Sequence, residues 1–170
     1  LAAANADLTT TYNQIENYRH TKHIEYLKGE VQARWFEATT IEQVLEVAQS
    51  KDAMMSMTGE EIFNGRQKAL KRVSQDYFVQ LLAEASTTND GEAFSDIYHR
   101  VFSGGRVGPD GEIIAVPEDQ QFLKYLDSDD RMDIAKQVIK LEDRLDDMIE
   151  DATEGAYATE LQNIILSDDY

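Results

Sequence analysis

Cysteine is absent from the 170-residue chain, and proline nearly so, with two. Without a thiol there is no disulfide scaffold, thiol nucleophile, zinc finger or iron–sulfur cluster. Two prolines and nine glycines exclude collagen-like and Pro/Gly-rich low-complexity chains. No apolar run approaches the ~18 residues that cross a bilayer as a helix. Positive charge is scarce: 16 Lys and Arg stand against 33 Asp and Glu, a formal charge of −17. Phosphate neutralisation needs clustered cations, so general nucleic-acid binding and anionic membrane surfaces are both disfavoured. No Gly-x-Ser-x-Gly elbow, HExxH helix or dinucleotide fingerprint occurs.

The charge that is present is uneven. Residues 1–85 hold 12 acids and 9 bases, net −3, and residues 86–170 hold 21 acids and 7 bases, net −14. Length predicts a single acidic domain over 1–170, near-neutral to residue 85 and strongly acidic beyond it. The chain opens on Leu1, which reads as a processed or excised start. Ala4-Asn5-Ala6 has the small-x-small form of a signal-peptidase site, without the charged and apolar stretches that should precede it.

Periodicity predicts an all-α multi-helix bundle of about six to seven helices with one short β-hairpin or hairpin-like loop near 105–116. Leu8, Tyr12, Ile15, Tyr18, Tyr26 and Val31 recur at mostly three- and four-residue spacing, a helix from about 7 to 36 with Gly29 as a point of bending. Thr39-Thr40-Ile41-Glu42 reads as a capping box with Thr39 as cap, opening a helix over about 40–50. Thr58-Gly59-Glu60-Glu61 repeats the pattern before a helix to about 85, whose Ile62, Ala69, Leu70, Val73, Tyr77 and Leu81 share roughly a 120° arc. Asn89 or Asp90 caps a helix carrying Phe94, Ile97, Tyr98, Val101 and Phe102, which Gly104-Gly105 ends.

Gly108-Pro109-Asp110-Gly111 is turn chemistry between Arg106-Val107 and Ile113-Ile114. Pro117 sits at the first position of a helix bearing Phe122, Leu123 and Leu126. Ser128 is the expected cap of a helix over about 129–153, with Gly155 interrupting it before a last amphipathic stretch.

Ile134, Val138, Leu141, Leu145, Met148 and Ala152 are spaced 4-3-4-3-4. The stripe lasts under three heptads and is widened by Ala135 and Ile149, so core of the same chain is favoured over a self-associating seam. Met132 and Ile139 lie on the opposite flank, where a second neighbour could sit.

Asp129-Asp130-Arg131-Met132-Asp133 and Asp146-Asp147-Met148-Ile149-Glu150 match magnesium-holding DDxxD-type patterns. Seventeen residues on one helix place them about 25 Å apart, too far to close on one diphosphate. Glu16, His20 and His23 share one side of the first helix, but no second Glu-x-x-His exists to complete a di-iron bundle. His99 stands alone, weak evidence for haem ligation. The glycines of 104–111 lack the Gly-Lys-Ser/Thr of a phosphate-binding loop. No catalytic, cofactor or metal residues are assigned.

Arg66, Lys68, Lys71 and Arg72 form the one basic cluster, with Lys68, Lys71 and Arg72 expected on a solvated face and Arg66 turned toward a buried acid. The expected function is therefore non-enzymatic: a structural, scaffold or connector subunit of a larger assembly such as a phage or virus particle, cytoplasmic or virion-associated. Protein partners and self-association are expected, without direct nucleic-acid contact or a membrane span. Candidate contacts are Arg106, Val107, Pro109, Ile113 and Ile114 of the hairpin, Met132, Ile139, Asp143, Asp146, Asp147 and Asp151 of the last helix, and Lys68, Lys71 and Arg72. The alternative is an acidic regulator that mimics nucleic acid in the basic groove of a binding protein. A metal-dependent helical enzyme carries the least weight.

Overall fold

The computed structural model describes residues 2–88 and 91–167, with side-chain surroundings for 7–87, 91–157 and 159. Its order is α1 (Ala2–Glu37), α2 (Ile41–Ala48), α3 (Lys51–Ser56), α4 (Gly59–Thr88), α5 (Gly91–Ser103), β1 (Gly105–Val107), β2 (Ile113–Ala115), α6 (Pro117–Leu123) and α7 (Ser128–Ser167). The all-α bundle with a short hairpin is what the periodicity predicts. No helix among the described residues is long and apolar enough to cross a membrane. Contacts divide the chain into two compact units, Leu1–Val73 and Ser74–Tyr170, with the division inside α4.

In the first unit the C-terminal part of α1 packs on α2 and α3, burying Val31, Trp35, Ala38, Val44, Val47, Ala48 and Ala53 with Ala69, Leu70 and Val73 of α4. The Trp35 indole N–H donates to the Val44 carbonyl at 3.2 Å, which satisfies a buried donor and fixes the ring. The cap of α2 is Thr40, one residue later than the sequence suggests, and Gln43 rather than Glu42 closes the box. Gln43 Oε1 accepts from the backbone N–H of both Thr39 and Thr40. The helix α3 is an addition to the sequence reading: Ser50 caps it, accepting from the Ala53 N–H at 3.3 Å.

The box at the start of α4 forms as expected, with Glu61 N–H donating to Thr58 Oγ1 at 3.2 Å and Thr58 N–H to Glu61 Oε2 at 2.9 Å. Glu61 also accepts from the Lys28 ammonium of α1. That ammonium, followed by the Thr58 backbone, holds the Glu61 carboxyl down at about 2.

In the second unit Phe78, Leu82 and Ala85 of α4 meet Phe94, Ile97 and Val101 of α5, Leu123 and Leu126, and Ile134 and Val138 of α7. Gly104 alone ends α5 in left-handed backbone, at φ 70°, while Gly105 enters β1. The strands pair antiparallel with Arg106 opposite Ile114, and the turn closes through Gly111 N–H to Gly108 O at 2.9 Å, with Gly111 at φ 79°. Pro117 does open α6, which ends at Leu123, so Leu126 packs from the following turn.

The last helix differs from expectation at both ends. Its cap is Asp127, not Ser128: Asp127 Oδ1 accepts from Asp130 N–H at 2.9 Å, and Asp130 Oδ2 from Asp127 N–H at 3.1 Å. At the far end α7 passes through Gly155 unbroken. A lone glycine costs a helix only about 1 kcal/mol, too little to stop one whose flanks are Ala and Glu. Likewise α1 continues through Gly29. The expected cap of α5 at Asn89 or Asp90 lies outside the described residues.

Candidate functional site

A dense polar constellation joins three helices of the second unit. Asp119 is fully buried in the first turn of α6, where a carboxylate favours the positive helix end. Arg100 of α5 reaches it through two parallel bonds, Nε to Oδ2 and Nη2 to Oδ1, both 2.9 Å. The Tyr77 hydroxyl of α4 donates to Asp119 Oδ1 at 2.9 Å and accepts from Arg100 Nη2 at 3.1 Å. Tyr77 stacks on Phe122, with ring centroids 4.0 Å apart. On its outer side Arg100 lies 3.8 Å from Asp96.

Every strong group in this knot is satisfied. Burial, then the bond to Asp119, pushes the Tyr77 hydroxyl up to about 12, and the Asp119 bond likewise raises Arg100. Neither a base nor a nucleophile results. The knot fastens α4, α5 and α6 together, and the sequence alone offers no sign of it because the partners lie 19 and 42 residues apart.

A pH effect follows. The Tyr77 proton is held more tightly in the folded chain than at its ordinary value of 10.0, so this contribution to stability is complete below pH 10 and lost as pH rises towards 12. In urea denaturation the wild type should lose stability across that window more steeply than Tyr77→Phe; equal slopes would contradict the assignment.

Beside the knot, α5 and β1 border an open cleft of about 470 Å³ lined by Glu92, Ser95, Asp96, His99, Arg106 and Val107. It mixes charges of both signs. Among the described residues no three His, Asp or Glu side chains are placed to hold one metal ion. The DDxxD pattern is divided by the fold, since Asp130 is buried, closing the α7 cap and accepting from Gln75 Nε2 at 2.7 Å. Glu16 pairs with Arg19 at 3.1 Å on an exposed stretch that also holds His20 and His23.

The other candidates are spread over the surface. Arg106, Val107, Pro109, Ile113 and Ile114 are all exposed on the hairpin, as are Met132, Ile139, Asp143, Asp146, Asp147 and Asp151 on α7. Lys68 is exposed and Lys71 half-buried. Arg72 requires a correction: rather than facing solvent, it donates Nη2 to the carbonyls of Trp35 and Ala38, closing the C-terminal end of α1. Those carbonyls lack partners within the helix, and a cation there also complements the dipole. Among the described residues Arg66 has no acid partner; its guanidinium lies 5.5 Å from the Phe63 ring centre, and its buried Nε has no hydrogen-bond partner there.

The heptad stripe of α7 divides at Leu145. Ile134 and Val138 are buried, and Leu141 and Leu145 pack on the core beside α5, whereas Met148 and Ile149 are 57% and 56% exposed. Helix α1 shows the same division: Val31 and Trp35 are buried, and Leu8, Tyr12 and Ile15 are 69%, 64% and 47% exposed. All residues of 7–23 and 146–157 are exposed. No family of known proteins, no curated protein and no solved structure matches this chain.

Proposed function

We propose that the protein is a non-enzymatic subunit of a protein assembly, docking through the exposed apolar faces of α1 and α7. The observation that carries this reading is the exposure of Leu8, Tyr12, Ile15, Met148 and Ile149 on helices whose other ends are buried. Helices in water draw most of their stability from packing an apolar face, and exposed apolar patches of this kind mark association surfaces. The satisfied Tyr77–Arg100–Asp119 knot and the separation of the acidic motifs support a structural role over catalysis.

Gel filtration of the native extract tests it. The chain is expected in a complex several times its own mass, and Ile15→Ser with Met148→Ser is expected to release it as a monomer. A wild-type chain that elutes as a monomer from its native source overturns the reading.

A second reading, an acidic regulator for a basic groove, draws support from the exposed Asp143, Asp146, Asp147 and Asp151. Salt separates the two. Charge mimicry weakens steeply with ionic strength, and apolar docking persists.

A further inference from the structure

We infer that Asp110-Gly111, at the tip of the hairpin, is a backbone-modification site that converts to isoaspartate through a cyclic imide, and that the fold withholds the same reaction from Asn64-Gly65.

Three pairs in the chain place Asn or Asp before glycine: Asn64-Gly65, Asp90-Gly91 and Asp110-Gly111. Glycine matters because it has no Cβ to keep its nitrogen from the preceding side chain. The Gly111 nitrogen attacks Cγ of the protonated Asp110 carboxyl. A new N–Cγ bond closes the succinimide, the Cγ–O bond breaks, and the hydroxyl leaves with the amide proton as water. A second water then opens the ring. Cleavage between the nitrogen and the main-chain carbonyl carbon routes the chain through Cβ and Cγ, giving isoaspartate; cleavage at Cγ restores aspartate. In an Asn-Gly pair the leaving group is ammonia. At neutral pH a free Asn-Gly pair cyclises faster than Asp-Gly, because an ionised carboxylate is a poor electrophile.

The structure reverses that order. Asn64 lies inside α4, where the Gly65 N–H belongs to the helical ladder and must turn out of it for the ring to close. Gly65 also rests against Trp35, with an added Cβ only 2.3 Å from Cζ3, and that ring is buried and bonded to the Val44 carbonyl. Ring closure at Asn64 therefore requires the helix and its core contact to open together. At the hairpin, Asp110 and Gly111 are both exposed, and nothing lies within 4 Å of a Cβ added at Gly111. The Asp110 N–H is held by Glu112 Oε2 at 3.1 Å, while among the described residues the Asp110 carboxylate itself has no partner. Only the turn bond to Gly108 O, at 2.9 Å, engages the Gly111 N–H. An exposed turn opens far more often than a helix packed on a core. Asp90 lies outside the described residues.

Isoaspartate adds a methylene to the main chain inside the segment that the Gly111–Gly108 bond closes. The Arg106–Ile114 pairing depends on that turn for its register, so the modification loosens the hairpin.

Peptide mapping with electron-transfer fragmentation tests this on the purified full chain aged in neutral buffer, beside one sample aged in urea and an Asp110→Glu variant, whose longer side chain closes the corresponding imide far more slowly. In the native sample isoaspartate is expected to accumulate at 110 while Asn64 keeps its amide, converting roughly a hundredfold more slowly than in urea. In urea the order is expected to invert, with Asn64 converting first. Asp110→Glu is expected to fold, by far-UV circular dichroism, and to form no isomer at 110. Amide hydrogen exchange of Arg106 and Ile114 is expected to quicken as the isomer accumulates. Asn64 converting ahead of Asp110 in the native sample, or isomer at 110 forming in urea and not in the folded chain, overturns the inference. Unchanged hairpin exchange in the isomerised chain overturns the loosening.

Discussion

Replacing Asp119 by alanine is expected to destabilise the second unit by about 3–5 kcal/mol, the cost of stripping one partner from a buried ion pair. Asp119 is fully buried and the Arg100 side chain is 17% exposed, so the guanidinium left behind keeps the neutral Tyr77 hydroxyl and, as its one acid, the more distant Asp96, 3.8 Å away. The Tyr77 hydroxyl loses its acceptor in the same step. By contrast, Tyr77→Phe removes the two hydrogen bonds of the hydroxyl and leaves the ion pair whole, with an expected cost of about 1–2 kcal/mol.

The double variant Asp119→Leu with Arg100→Met sharpens the test. Removing both charges leaves no uncompensated ion, so its loss should be well below the summed losses of Asp119→Leu and Arg100→Met alone, and the difference measures the coupling. Urea denaturation followed by near-ultraviolet circular dichroism reads the loss of aromatic packing. An Asp119→Ala loss under 1 kcal/mol would mean that water reaches Arg100 and that the knot does not hold the helices. That threshold is the scale of a single neutral hydrogen bond.

The contrast between this knot and the helices explains what the sequence discloses. Helix boundaries depend on near neighbours, so Thr58 with Glu61, Pro117, and Gly104 are legible from residues one turn apart. Errors at Thr39 and Ser128 are single-residue shifts, arising because adjacent residues in Thr39-Thr40 and Asp127-Ser128 offer equally good capping oxygens. The helix α3 was hidden by its six-residue length and by flanking Ser50 and Met57, which carry no lasting period. Asp119, Arg100 and Tyr77 have no local signature, because their meeting depends on where α4, α5 and α6 pack.

Periodicity also states that a face is apolar without stating whose surface covers it. Leu8, Tyr12 and Ile15 carry the same spacing as Val31 and Trp35, and Met148 continues the spacing of Ile134 and Val138. Only burial separates them. The candidate surface was thus present in the sequence as a pattern, and its division at Leu145 and at the middle of α1 became visible once α5, α2 and α3 had positions.

Glycine provides the second large expected effect, and here identical chemistry should act with opposite sign at two sites. Gly65 lies inside α4 against the face of Trp35, where an added Cβ would stand 2.3 Å from Cζ3 and 2.8 Å from Cε3 and Cη2. The indole cannot swing aside freely, being 4% exposed and bonded to the Val44 carbonyl. Alanine gains up to about 1 kcal/mol of helix propensity over glycine, but overpacking a fixed core costs about 1–3 kcal/mol, so Gly65→Ala should be a net loss and Gly65→Val a larger one.

Gly29 of α1 has nothing within 4 Å of its added Cβ, so Gly29→Ala keeps the propensity gain and should stabilise the first unit. Trp35 is the one tryptophan of the chain, so its fluorescence reports the outcome locally. A red shift and an earlier urea midpoint are expected for Gly65→Ala, and an unshifted spectrum with a later midpoint for Gly29→Ala. Equal stabilisation by both would show that α1 and α4 can separate at Trp35 without loss, which the buried indole bond and the Arg72 clamp on the same helix end argue against.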